Sequence, residues 1–403
     1  MKPIFNKKVL KNGMTILFEK RNLPIVSVAF AARAGGINEK MEEKGISHFI
    51  EHMLFKGTKK RPSNNAVAGE IEKKGGEING GTDDEVTFYH CKIPSEHLNV
   101  ALDVFSDIVK NPLLDEKELE KERKVIFEEI KMNHDNPLLH VFKEIQKALY
   151  EEPFGYPRIG NYKTMNSIDR KKLFDKFKKF YSPDNLILCV VGDANFEEIV
   201  SFAEKTFGTG KKEVPKLEIK TKNEEKIEKR KGIDQAHVVF AYHVPFGEDK
   251  KKYSAMILST LMAGGLSSRL FEEIREKRNL AYAIKGDYDI GRYFGNNFIY
   301  IGTMPENVEI VKKLILEEFE KVSRDLGEKE LNDIKEQMIG NYHIAMEDSQ
   351  SQMINLIYSE VHGNAENFYD FDKRISEVKL EDVKNLAKNV AKNYSFFALV
   401  PED

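Results

Sequence analysis

The chain predicts an α+β fold made of two related domains, each a mostly antiparallel β-sheet packed with α-helices. Three observations carry that reading. Strand-like and helix-like stretches alternate along most of its 403 residues, a length that allows two full cores. A single run dominated by Lys and Glu interrupts the alternation near residues 211–230. The same order of elements then returns after that run.

The elements justify themselves in order. Residues 14–20 and 25–32 are rich in β-branched and apolar side chains and read as strands. A turn segment over 33–43 leads into a helical run over 45–56. The stretch EVTFYHCKI (85–93) reads as a strand ended by Pro94. Helical patterns follow over 96–110, 115–150 and 168–180, and NLILCVVGD (185–193) reads as a closing strand. The run 211–230 contains Pro215 and reads as a charged linker able to hold a short edge strand. Domains are therefore expected at 1–210 and 231–403.

The internal repeat rests on matched positions. Tyr89 and Pro94 fall on Tyr300 and Pro305 at a shift of 211; EKEL at 116–119 returns at 328–331, a shift of 212; Tyr181-Ser182 returns as Tyr394-Ser395, a shift of 213. All three lie in the same strand–helix–helix–strand succession.

Composition excludes several classes of function. Lys and Arg total 63 against 66 Asp and Glu, for a net charge of −3, so no bulk positive field favours nucleic acid or an anionic membrane. No apolar run approaches the ~18 residues of a membrane span. The opening MKPIFNKKVLKNGMTILFEK has basic residues but no apolar signal core, which reads as cytoplasmic. Two cysteines, Cys91 and Cys189, cannot build a disulfide framework or a thiolate zinc site. The basic string at 59–61 reads as a solvated turn, and His90, His134, His140, His237 and His243 lack paired spacing.

One segment carries chemistry. GISHFIEHMLFKG places His48 and His52 four residues apart, on one helix face one turn apart, where two neutral imidazoles can hold one zinc ion. Glu51 stands one residue before the second His, where it can reach a water on the metal. This is the H-x-x-E-H order. The bland alternative is a pair of helix-surface histidines. A catalytic zinc site needs a third protein ligand and an open position. In ELEKERKVIFEEIKM (118–132), Glu122 and Glu129 share a face flanked by Leu119, Ile126 and Ile130, whereas Glu128 shares its side with Lys121, Lys124 and Lys131. Periodicity alone leaves open whether the two glutamates border the core in ion pairs or serve a metal.

With these motifs quoted, the sequence resembles the pitrilysin/mitochondrial processing peptidase family of inverted-zincin metallopeptidases, in its short, half-length form. The resemblance spans nearly the whole chain. It implies zinc, one ion per chain, held by His48, His52 and Glu129, the last lying 77 residues beyond His52 within ERKVIFEEI. It implies Glu51 as general base and Glu122 as a supporting carboxylate. GGEINGGTDDEVTFYH (75–90) resembles the family's substrate-side edge strand and its loop, with Asn79, Gly80 and Gly81 at the substrate backbone. GGLSSRLFEEIREKRNLAYAI (264–284) resembles the Arg/Tyr element, so Arg275 and Tyr282 are expected at substrate carbonyls. Shifted by 212, His48 falls on Thr260, His52 on Gly264 and Glu129 on Asn341, so the second domain keeps no ligand. The resemblance implies a zinc endopeptidase acting on peptides or unfolded segments inside a chamber of two subunits. The partner is a second copy or a zinc-less homologue, without nucleic acid or membrane. The competing reading is a non-catalytic peptide-binding or scaffolding subunit.

Overall fold

The computed structural model describes residues 4–211, 213–215 and 218–402. Among the described residues, eleven strands form two mixed sheets. The first holds β1 (Ile4–Val9), β2 (Thr15–Lys20), β3 (Ile25–Ala32), β4 (Glu77–Thr82), β5 (Thr87–Pro94) and β6 (Leu186–Gly192), in the order β1-β2-β6-β3-β5-β4. The second holds β7 (Glu225–Arg230), β8 (Ala236–His243), β9 (Ala281–Ile290), β10 (Gly295–Thr303) and β11 (Ser395–Pro401), in the order β7-β11-β8-β10-β9. Every pairing is antiparallel except β2 with β6 and β7 with β11. The second order reproduces β2-β6-β3-β5-β4 with its one parallel pair in the same place. The repeat read from scattered identities is thus a repeat of topology.

Of the expected linker 211–230, residues 212, 216 and 217 lie outside the described residues, and Glu225–Arg230 forms β7, a short edge strand of the kind this run was expected to be able to hold. Its sequence EKIEKR suits a sheet edge, because charges on an edge strand discourage further pairing.

The helical stretch expected over 115–150 is two helices, Glu116–Asp135 and Pro137–Leu149. Pro137 has no amide hydrogen to continue the first helix, and it fits the first position of a new one. Asn136 caps that new helix, its Oδ1 accepting from Leu138 N at 2.9 Å and Leu139 N at 3.3 Å.

The chain divides into two compact units. One comprises 1–130, 157–218 and 345–368; the other comprises 131–156, 219–344 and 369–403. Neither unit is one continuous stretch of chain: each takes a helix from the other side of the charged run. Pro137–Leu149 packs on β8 and β11, and Ser349–Val361 packs on β3 and β6. The sheets show why. Every residue of β6 is buried, and β3 is buried from Val26 onward, so both faces of these strands need a cover. Val26, Val28 and Phe30 enter the main core of the first unit. On the opposite face, Ser27 meets Ser349 (Oγ to Oγ 2.9 Å) and Cys189 Sγ lies 3.7 Å from Met353 O.

The first core also takes up Ile46, Phe49, Ile50, Met53 and Leu54 of the helix Ile46–Leu54, and Leu119, Ile126 and Ile130 of Glu116–Asp135. The two helices that carry the motif glutamates and histidines are therefore anchored in one core. Arg61, expected in a solvated turn, is only 1% exposed. Its guanidinium is satisfied by Glu70 (2.8 Å), Asp107 (2.9 Å) and Asp103, which overcomes the cost of burial. No helix among the described residues is long and apolar enough to cross a membrane.

Candidate metal centre

The helix Ile46–Leu54 begins at Gly45, whose φ of 98° lies in the left-handed region. A Cβ there would also stand 2.7 Å from Ile159 O. The first amides of the helix are met by a buried carboxylate: Glu39 accepts from Gly45 N at 3.0 Å and Ser47 N at 2.8 Å. Burial pushes the Glu39 pKa up, against the opposing pull of Lys44 and these amides. With the apolar residues turned into the core, His48, Glu51 and His52 occupy the opposite side, each half-buried.

Glu129 reaches that side from the long helix. Its Oε2 lies 3.5 Å from His48 Nε2 and 3.8 Å from His52 Nε2. Among the described residues, His48, His52 and Glu129 form the one group of three His, Cys, Asp or Glu side chains whose ligand atoms lie within 4.8 Å of one another. The fit to zinc is close. Bonds of about 2.0–2.2 Å at tetrahedral angles put ligand atoms roughly 3.3–3.6 Å apart, so a small adjustment brings both Nε2 atoms and Oε2 onto one ion. The donor set of two imidazoles and one carboxylate is that of a catalytic site with a position left open.

The surroundings set the charge and orientation of these side chains. Burial first, then the charges of His52 and Arg158, push His48 down to about 3, leaving a neutral imidazole. His52 Nδ1 donates to Glu122 Oε2 at 3.1 Å, which fixes the tautomer with Nε2 free. Burial works against protonation of His52, but Glu122, Glu51 and Glu129 together raise its pKa. Lys56 Nζ sits 2.7 Å from the other Glu122 oxygen. Despite burial, His52 and Lys56 hold Glu122 below the usual carboxylate range. Burial raises Glu129, with His52 opposing. Burial also raises Glu51, which Thr82 and His52 oppose and Glu129 reinforces. A carboxyl moved upward toward the working pH is suited to general base chemistry.

β4 borders this centre as an edge strand. Asn79 is exposed, and its Oδ1 accepts from Gly80 N at 2.8 Å. Gly80 is explained by packing: a Cβ there would stand 2.8 Å from the Phe55 ring. A Cβ on Gly81 would stand 3.0 Å from Phe88 Cζ. A cleft of about 280 Å³ runs between Glu51, His52, Phe55, Asn79, Gly80 and Glu122.

Comparison with known proteins follows the same lines. Residues 15–161 match the family model described as insulinase (peptidase family M16), and residues 167–338 match the one described as peptidase M16 inactive domain. The chain is 32% identical over 399 residues to an uncharacterized zinc protease, YmxG, of Bacillus subtilis, covering 97% of each. It is 31% identical over 415 residues to an uncharacterized zinc protease of Rickettsia felis, covering 100% of this chain and 99% of that one. The chain belongs to peptidase family M16. Two crystal structures show the same fold for this M16 chain. A protease from Helicobacter pylori matches with a TM-score of 0.91 at 23% identity, covering 99% of this chain and all of that one. A peptidase M16 inactive domain from Pseudomonas fluorescens matches with a TM-score of 0.89 at 20% identity, covering 99% of this chain and 98% of that one.

In the second unit of this family member, Arg275 lies in the short helix Phe271–Glu276, half-buried, with its guanidinium 4.8 Å from the centre of the Phe271 ring. Tyr282 is 46% exposed on the edge strand β9. Its hydroxyl lies 3.3 Å from that of Tyr300, which in turn lies 2.9 Å from His237 Nδ1. Sequence reasoning missed three partners of the M16 motif: Glu39 at the helix start, Lys56 on Glu122, and Thr82, whose hydroxyl donates to Glu51 Oε2 at 2.7 Å. None of the three contacts has a signal in the sequence, and for Thr82 the strand pattern reaches only as far as the face it occupies. Strand alternation puts Ile78, Gly80 and Thr82 on one face of β4.

Proposed function

We propose that this chain is a zinc-dependent endopeptidase, with one ion per chain held by His48, His52 and Glu129. The observation that carries the proposal is the convergence of both Nε2 atoms on Glu129, with Glu51 one residue away and an edge strand alongside. The zinc protease names of its relatives support it. When bound, zinc supplies Lewis acidity to the attacking water and the scissile carbonyl. Glu51 takes the water's proton and passes it to the leaving amine. Glu122 orients His52 through its Nδ1 proton. An extended peptide adds to β4, with its backbone at Asn79, Gly80 and Gly81.

Substrates are peptides or unfolded segments. The first domain, 1–210, holds the metal, and the second, 231–403, contributes to substrate binding. Two subunits in the cytoplasm form the chamber as a homodimer, and Arg275 and Tyr282 of one subunit bind substrate carbonyls at the metal centre of the other. The test is hydrolysis of a quenched unstructured peptide by zinc-loaded wild type and Glu51→Gln. Cleavage by wild type alone is expected. No cleavage by either, with zinc bound, would make the chain a peptide-binding subunit instead. Mixing Glu51→Gln with Arg275→Ala tests the exchange between subunits: mixed dimers recover activity, and a mixture as inactive as its components rejects the arrangement.

A further inference from the structure

Thr82 ends β4, where it pairs with Thr87 and donates its hydroxyl to Glu51 Oε2 at 2.7 Å. Two features fix the hydroxyl in place. On the same face of β4, the absent side chain of Gly80 makes room for Phe55, so the strand lies close against the helix that carries Glu51. Just beyond Thr82 the turn is tied down. Asp83 O accepts from Gly36 N at 3.2 Å, Asp84 O accepts from Ile37 N at 2.9 Å, and Tyr358 donates its hydroxyl to Asp83 Oδ2 at 2.7 Å. Arg158 bridges the side chains of Asp83 and Asp84.

We infer that Thr82 is a positioning residue for Glu51, through which the strand that receives the peptide also aims the base. Its hydroxyl occupies Oε2 and leaves Oε1 to meet the attacking water. A peptide added to β4 is then registered on the same strand that fixes the carboxylate. The inference rests on the peptidase reading above. A carboxylate freed from a fixed donor would sample several rotamers, and its productive orientation would become one among them.

The test uses the full zinc-loaded chain as wild type, Thr82→Val and Thr82→Ser. Three readouts are taken: steady-state kinetics on the quenched peptide, zinc affinity by chelator competition, and crystal structures of both variants. Thr82→Val is expected to lower kcat roughly ten- to a hundredfold, the effect of one hydrogen bond to a charged group. KM and zinc affinity stay within about twofold, since neither peptide contacts nor metal ligands are removed. Thr82→Ser recovers most of the loss. In the Thr82→Val crystal the Glu51 carboxylate leaves the position it holds in the wild type. Unchanged kcat, a loss that serine does not recover, or an unmoved Glu51 would each overturn the inference. If the wild type itself cleaves nothing, the peptidase reading fails, while the crystal structures still decide whether Thr82 holds Glu51.

Discussion

Gly302 lies directly beneath the ring of Tyr282: a Cβ on Gly302 would stand 2.3 Å from Tyr282 Cζ and 2.5 Å from its hydroxyl oxygen. The ring rests on bare backbone of β10, opposite Ala283 of β9, and its hydroxyl meets Tyr300. Gly302→Ala therefore displaces the ring while leaving Tyr282 in the sequence. If Tyr282 assists the reaction, Gly302→Ala lowers kcat to nearly the level of Tyr282→Ala, with a destabilisation of about 1 kcal/mol because the clashing ring is exposed and able to move. Kinetics and thermal melts of both variants check this. Full activity in Gly302→Ala would detach Tyr282 from catalysis.

Zinc binding should weaken on acidification earlier than a free imidazole would dictate. A proton on His52 competes with the metal, and Glu122, Glu51 and Glu129 raise the pKa of that proton against the opposing effect of burial. Affinity is thus fully present above the raised His52 pKa and falls as the pH drops through it. His48, pushed down to about 3 by burial, does not compete in the same range. Glu122→Gln removes a charge that favours the proton, so the acid limb moves to lower pH. It also loosens the ring, and affinity near neutrality falls about ten- to a hundredfold. Chelator competition across about pH 5 to 8 measures both effects. An acid limb that moves to higher pH in the variant would contradict the assignment.

Arg61 makes a stability prediction free of any functional assumption. Its guanidinium is buried and spans Glu70, Asp103 and Asp107, while Thr58 donates its hydroxyl to Asp107 at 2.5 Å. Arg61→Ala removes a buried side chain and leaves Asp107 short of a partner, while Glu70 and Asp103, 44% and 47% exposed, regain water, so the expected cost is about 1–3 kcal/mol. Lysine cannot reproduce the fork, so Arg61→Lys recovers only part of the loss. Denaturant midpoints give the values, and a change within about 0.5 kcal/mol, as for an ordinary surface site, would contradict the buried network.

What was legible in the sequence follows from the range of each interaction. His48, Glu51 and His52 lie within one turn and a half of helix, so spacing alone places them together. The shared face of Glu122 and Glu129 is likewise local, although their approach to the histidines came from family resemblance. Glu39, Thr82 and Arg61 act across gaps in the chain that no periodicity spans. Glu39 reaches Ser47 past a left-handed glycine, Thr82 reaches Glu51 from another element, and Arg61 pairs with carboxylates on two helices. The break at Asn136-Pro137 could be read locally, since an Asn before Pro is a strong helix start. The two-sheet architecture showed through because near-continuous apolar strands mark sheets covered on both faces. Which helix supplies each cover depends on tertiary packing.

That exchange of helices gives the last prediction. A chain cut at the charged run yields fragments 1–210 and 219–403, and the first of these lacks Ser349–Val361. In the whole chain this helix covers β3 and β6 and satisfies buried polar groups beneath it. Gln352 Nε2 donates to Glu19 Oε2 at 2.6 Å, and Ser349 meets Ser27. Without the helix, Glu19 loses a partner and the apolar back of β6, Cys189 included, faces water. Fragment 1–210 alone is therefore expected to be poorly soluble or to react readily with a thiol reagent at Cys189. In the intact chain that thiol is fully buried, which pushes its pKa up and makes it inert. Co-expression with 219–403 restores the missing cover, and Cys189 becomes unreactive again. Thiol titration of fragment, pair and whole chain decides the matter: a soluble fragment 1–210 with an inert Cys189 would mean that the first unit closes its sheet without the borrowed helix.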